Sequence, residues 1–115
     1  MQIARFAVPD RGGARGEVFV SVFGNETGGL LAKVNRWRKE IDLPEVNEAG
    51  MAQVVSALDA ANPEAKLIDM TNSNRRLVAA IVPRGGSYWF YKLRGDLEAV
   101  TPERDAFVAF AKSPP

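Results

Sequence analysis

The chain has 115 residues, enough for one domain with a real core and too few for two. Apolar residues make up 46%, charged residues 25%, and the net charge is +1, so no strong field recruits nucleic acid or an anionic membrane. Cysteine and histidine are both absent, which excludes disulfides, Cys/His zinc sites and nucleophile systems built on Ser-His-Asp or Cys-His. Carboxylate, lysine, tyrosine and arginine chemistry remain. No apolar run approaches the length of a membrane span, and the N-terminus MQIARFAVPD lacks the apolar core of a secretory leader.

Ile3 to Val8 is a short apolar segment that reads as a first strand. A breaker-rich loop, Pro9 to Gly16, leads into Glu17–Phe23. There Val18, Val20 and Val22 alternate with Phe19, Ser21 and Phe23, the pattern of a strand with one apolar and one mostly apolar face. The two segments together predict a hairpin. From Leu30 to Ile41 the spacing turns helical, with Leu30, Val34, Trp37 and Ile41 on one stripe and Lys33, Arg36, Lys39 and Glu40 elsewhere. Pro44 ends that element. Asn47 is placed to cap a second helix, Glu48–Ala60, striped by Met51, Val54, Val55 and Leu58.

Lys66–Thr71 predicts a third strand. Leu77–Val82 and Tyr88–Leu93 flank the turn PRGGS and predict a second hairpin whose strands are apolar on both faces, as expected of a sheet covered on both sides. Pro83 cannot donate to a ladder, so the first of these strands is expected to stop there, and Gly85 or Gly86 to take positive φ. A closing helix begins at Thr101-Pro102, with Ala106, Phe107, Phe110 and Ala111 as its inner face. The predicted order is β-β-α-α-β-β-β-α over a single domain, residues 1–115: an α+β (α/β) fold with an antiparallel sheet sandwiched by helices.

Six residues are candidates for binding: Arg11, Arg15, Arg84 and Arg94 near the glycine loops, and Tyr88 and Tyr91 in the aromatic run YWFY. Arginine reaches phosphates and aromatic rings stack on bases, so together they outline a nucleic-acid surface. The simpler reading makes the glycines hairpin turns and the aromatics core. Asp69, Asp96 and Glu98 show no spacing that demands acid–base work. Gly24–Gly29 lacks the ending of a phosphate loop. No catalytic residue, metal site or cofactor is assigned.

The blocks GGLLAKVNRWRKEIDLPEVNEA and RRLVAAIVPRGGSYWFYKLRGD, followed by a Phe-rich closing helix, resemble a bacterial family of secreted or lipoprotein-like proteins found in planctomycetes and their relatives. The resemblance spans nearly the whole chain and brings no activity with it. It implies a cell-envelope or secreted location, and an export signal and further segment ahead of the position of Met1, so that the chain is a domain excised from a longer protein. The element order also resembles the PsbP-like fold, shared by a photosystem II extrinsic subunit and a Ran-binding transport protein. That resemblance implies a non-catalytic interaction or accessory module, for which a protein partner is expected. The net charge of +1 and glycine loops that serve as turns predict no strong nucleic-acid binding. The alternatives are a nucleic-acid-binding domain that uses the arginines, and a small-ligand binder or enzyme with a pocket between sheet and helix.

Overall fold

The computed structural model describes residues 2–8, 12–24 and 29–113. Six strands form one antiparallel sheet: β1 (Gln2–Ala7), β2 (Gly16–Phe23), β3 (Val55–Asp59), β4 (Asn62–Thr71), β5 (Arg75–Arg84) and β6 (Ser87–Asp96). Their order across the sheet is β1-β2-β6-β5-β4-β3. The helices are α1 (Leu30–Glu40), α2 (Glu48–Ala52), α3 (Leu97–Val100) and α4 (Arg104–Lys112), with a 3-10 turn at Thr101–Glu103. No described helix is long and apolar enough to cross a membrane.

The expected fold class stands, and its cause is visible in β5. Leu77 to Val82 are all buried, because alternate residues enter two different cores. Leu77, Ala79 and Ile81 face Val34 and Trp37 of α1 and Ile41 just past its end. Val78, Ala80 and Val82 face Val100 of α3 and Phe107 and Ala111 of α4. Alternation also divides the aromatic run as expected: Tyr88 and Phe90 pack on the α1 side, Trp89 and Tyr91 on the α4 side.

One predicted element changes identity. The helix expected over Glu48–Ala60 stops at Ala52, and Val55–Asp59 forms the edge strand β3, paired with β4 from Val55↔Ile68 to Asp59↔Asn62. Asn47 does cap the short helix, accepting from the Gly50 N–H at 3.0 Å. The stripe Met51, Val54, Val55, Leu58 fits a helix, but Val55 and Leu58 fit alternate faces of a strand equally well. The β-branched pair Val54-Val55 and the turn between Asp59 and Asn62 decide for the strand. Lys33, which the helical spacing places off the apolar stripe of α1, is 2% exposed, with its ammonium 5.2 Å from the Phe90 ring centroid.

The β5–β6 hairpin is tighter than expected. Strand β5 continues through Pro83 to Arg84, and Gly85 and Gly86 alone form the turn, at φ 55° and 83°. Two successive positive φ values are those of a turn whose twist matches its strands. Pro83 is accommodated because β4 pairs with β5 only as far as Ile81, so no partner there waits for its missing N–H. Helix α1 ends in a Schellman arrangement: the N–H of Leu43 donates to the Arg38 carbonyl at 2.8 Å and that of Asp42 to Lys39 at 3.2 Å, with Asp42 at φ 60°.

Five steps of about 4.8 Å make such a sheet about 24 Å wide, whereas one helix covers about 10 Å. The helix layers lie over the β3–β6 part of the sheet. Val20 of β2 still reaches the α4-side core, but β1 lies at the margin of the layers, and the exposed side chains of Ile3 and Phe6 lie there.

Candidate functional site

The predicted binding residues do not converge. Arg11 lies outside the described residues. Arg15 is exposed, with its backbone N–H on Asp96 Oδ2 at 2.9 Å. Arg94 lies on the α1 face, donating to Glu40 Oε1 at 2.7 Å, 5.0 Å from the Phe19 ring centroid. Arg84 lies on the α4 face. It donates to the Tyr91 hydroxyl, to the Ala111 carbonyl at 2.9 Å and to the Ser113 carbonyl at 2.7 Å. Its guanidinium also lies 5.6 and 5.5 Å from the Trp89 and Tyr91 ring centroids. Of the described candidates, Arg84 and Tyr91 are brought together as a clamp on the end of α4, and Arg15 and Arg94 line one shallow depression with Arg75. Tyr88 is half-buried on the α1 side, opposite Pro83 in the hairpin. Arg84 and Arg94 occupy opposite faces of the sheet, so the predicted arginines do not all share one phosphate-binding face.

The acidic residues are structural. Asp69 accepts from Arg76 at 2.9 and 2.6 Å and from Arg104 at 3.1 Å, which ties the start of α4 to β4 and β5. Burial alone would raise the Asp69 carboxyl. The hydrogen bonds and charges of Arg76 and Arg104 outweigh it and hold the carboxyl below its ordinary value. Asp96 stands at the entry to α3 and accepts from Arg15. No group of three or more acidic residues able to hold a metal ion occurs among the described residues.

The surface that sequence reasoning missed is apolar. Ile3, Phe6 and Phe110 are large apolar side chains left 46%, 46% and 43% exposed, and they lie together between β1 and α4. Phe110, expected on the inner face of α4, instead turns outward with Ala106, while Phe107 and Ala111 fill the core. The Phe110 ring meets Phe6 edge-on at 6.1 Å and Tyr91 at 5.5 Å. The Phe6–Phe110 pair divides a long groove into two depressions. One, of about 180 Å³, is lined by Val8, Val18, Leu93 and Phe107. The other, of about 360 Å³, is lined by Ile3, Ala4, Val20 and Trp89 and is almost wholly apolar. Glu103 stands at the first depression. Ser113, held by Arg84, closes the second, next to Lys112. The signal for this surface was present in β1, an N-terminal strand with phenylalanine and isoleucine but too few neighbours to cover them.

Comparison with family models, with curated proteins and with solved structures finds no match to this chain. The fold therefore defines its class as a mixed α+β domain, and the surface has to be read from its own chemistry.

Proposed function

We propose that the domain is a non-catalytic interaction module that binds a protein partner through the groove between β1 and α4. The observation that carries this reading is the contiguity of Ile3, Phe6 and Phe110 on one face. Clustered large apolar side chains left in water mark an interaction site more often than scattered ones do. The groove is apolar along its length, with Glu103 lining the first depression and Ser113 the second. The occupant of matching chemistry is a short segment of a protein partner, with two apolar side chains for the two depressions. The resemblance of the sequence to envelope proteins suggests where that partner resides, and the resemblance to the PsbP-like fold accords with an accessory role.

The test places a photo-crosslinking amino acid at Phe110, or at Glu64 on β4 as a control, in the protein expressed in its native host. The expected result is one discrete adduct from position 110 only, lost when Phe6→Asp is added to a chain that keeps its unfolding midpoint. Purified partner should then bind the unmodified domain. Equal adducts from both positions, or none from position 110, would refute the reading. An adduct of twice the chain mass would assign the groove to self-association instead.

A further inference from the structure

On the opposite face of the sheet, β2 carries Phe19, Ser21 and Phe23 toward the α1 side. The small Ser21 sits between two phenylalanines, opposite Phe90 of β6. The bulk it lacks leaves a cleft of about 140 Å³ between β2 and α1. Phe19, Phe23, Trp37 and Phe90 line it with the polar side chains of Gln2, Arg36 and Lys92. The Phe23 and Phe90 rings are 5.3 Å apart and tilted by 43°, so they present a bent aromatic floor.

Charge singles out this cleft from the apolar groove. Lys92 and Arg94 share the carboxylate of Glu40, at 2.8 and 2.7 Å, and Arg5 takes Glu17 at 2.5 Å. Arg5, Lys92 and Arg94 also surround the Phe19 ring, at 5.4, 4.9 and 5.0 Å from its centroid. Cations therefore outnumber carboxylates here. Arg36 is exposed and makes no ion pair or hydrogen bond among the described residues, so it is a guanidinium with its donors available to a ligand.

We propose that this cleft is a binding site for a small organic anion: one flat ring bearing a single carboxylate. The size argument is that an enclosed apolar cavity of about 150 Å³ accepts benzene, so an open cleft of about 140 Å³ has room for one ring and little more. The charge argument selects an anion, because Arg5, Arg36, Lys92 and Arg94 face only the carboxylates of Glu17 and Glu40, and one carboxylate suits Arg36, the cation without an ion pair among the described residues. The ring lies against Phe23 and Phe90 and the carboxylate takes the Arg36 fork. This site is separate from the groove of the proposed protein partner, so either can stand without the other.

The probe is sodium benzoate, titrated into isotopically labelled protein and followed by amide chemical shifts. Shifts should concentrate at Phe19–Phe23, Arg36–Trp37 and Phe90–Lys92 and saturate with Kd on the order of 1 mM, as suits a ligand of so few atoms. Acetate, which lacks the ring, and benzyl alcohol, which lacks the charge, should each bind at least about tenfold more weakly, because each loses one half of the recognition. Arg36→Glu should weaken benzoate by about tenfold or more and leave benzyl alcohol unchanged. Ser21→Leu fills the cleft and should abolish binding while the far face keeps its native shifts. The proposal is overturned if benzoate shows no saturation by about 20 mM, far above the expected Kd. It is equally overturned if acetate produces the same shifts, which would mean an adventitious ion only, or if the shifts map to Phe6 and Phe110.

Discussion

Arg84 provides the sharpest test of how the sequence was read, because an arginine beside a glycine turn looks free for a partner and here is not. Its guanidinium joins the hairpin tip to the last turn of α4 through the Ala111 and Ser113 carbonyls and the hydroxyl of Tyr91. Arg84→Ala removes all three. A hydrogen bond from a charged donor contributes about 1.5–3 kcal/mol when fully buried, and less where water competes. Arg84 is half-buried and Ser113 lies at the exposed end of the helix, so the Ala111 and Tyr91 bonds carry most of the effect, at about 1 kcal/mol each. The favourable placement of a cation at a helix C-terminus adds about 0.3–1 kcal/mol, and the ring contacts are not independent of these terms. The expected loss is about 2 kcal/mol, or a fall in Tm on the order of 8 °C for a domain of this size. Arg84→Lys should recover less than half, since an ammonium cannot present the planar fork that spans three acceptors. Urea unfolding followed by circular dichroism and by tryptophan fluorescence measures it. A loss below about 0.5 kcal/mol, the range of an ordinary surface substitution, would show that the clamp is idle and return Arg84 to the pool of binding residues.

Three further outcomes are expected. Gly86→Val forces a β-branched residue to φ 83° and should cost about 1–3 kcal/mol in denaturant unfolding, whereas Gly85→Asn, which tolerates that region, should cost clearly less. Gly95→Ala should destabilise by about 1–3 kcal/mol or prevent folding, because its Cβ would lie 2.3 Å from the Arg15 carbonyl oxygen, a backbone atom held by the β2–β6 pairing; an unchanged unfolding midpoint would contradict that register. The Asp69 carboxyl titrates lower in the folded chain than in the unfolded one, so its contribution is fully present above the unfolded value of about 4 and is lost as pH falls through the folded value. Urea midpoints measured between about pH 6 and pH 2 should therefore fall less steeply below about pH 4 in Asp69→Asn than in the parent, and parallel curves would count against the Asp69–Arg76–Arg104 cluster.

The fold was legible wherever one periodicity had no competitor. The stripe Val34, Trp37, Ile41 has the spacing of a helix face, and the apolar run Leu77–Val82 reads as an interior strand from its short length and the turn residues on either side. Met51–Leu58 fits both periods, and there the long-range pairing of Val55 with Ile68 decided what local spacing could not. The surfaces were harder to read for a different reason. Whether Phe110 or Phe107 is the buried phenylalanine of α4 depends on where the helix sits over the sheet, and the sheet runs wider than the helix. The cleft beside Ser21 likewise exists only because β2 lies past the edge of α1, a property of strand order that no residue in β2 announces. Arg84 was visible as an exposed candidate in the sequence, but its acceptors lie 27 and 29 positions away.

The two outer strands share a feature whose consequence concerns crowding in solution. The pairing of β1 with β2 slips between Gln2 and Ala4, and that of β3 with β4 slips between Ala57 and Asp59. An irregularity at a sheet margin twists the outward row of amides and carbonyls away from a straight line. A second chain laid against either margin meets a ladder that cannot continue in step, so growth of the sheet from one molecule into the next is discouraged at both ends. The domain can thus keep Ile3 and Phe6 in water without inviting fibres, because the strand that carries them is a poor template.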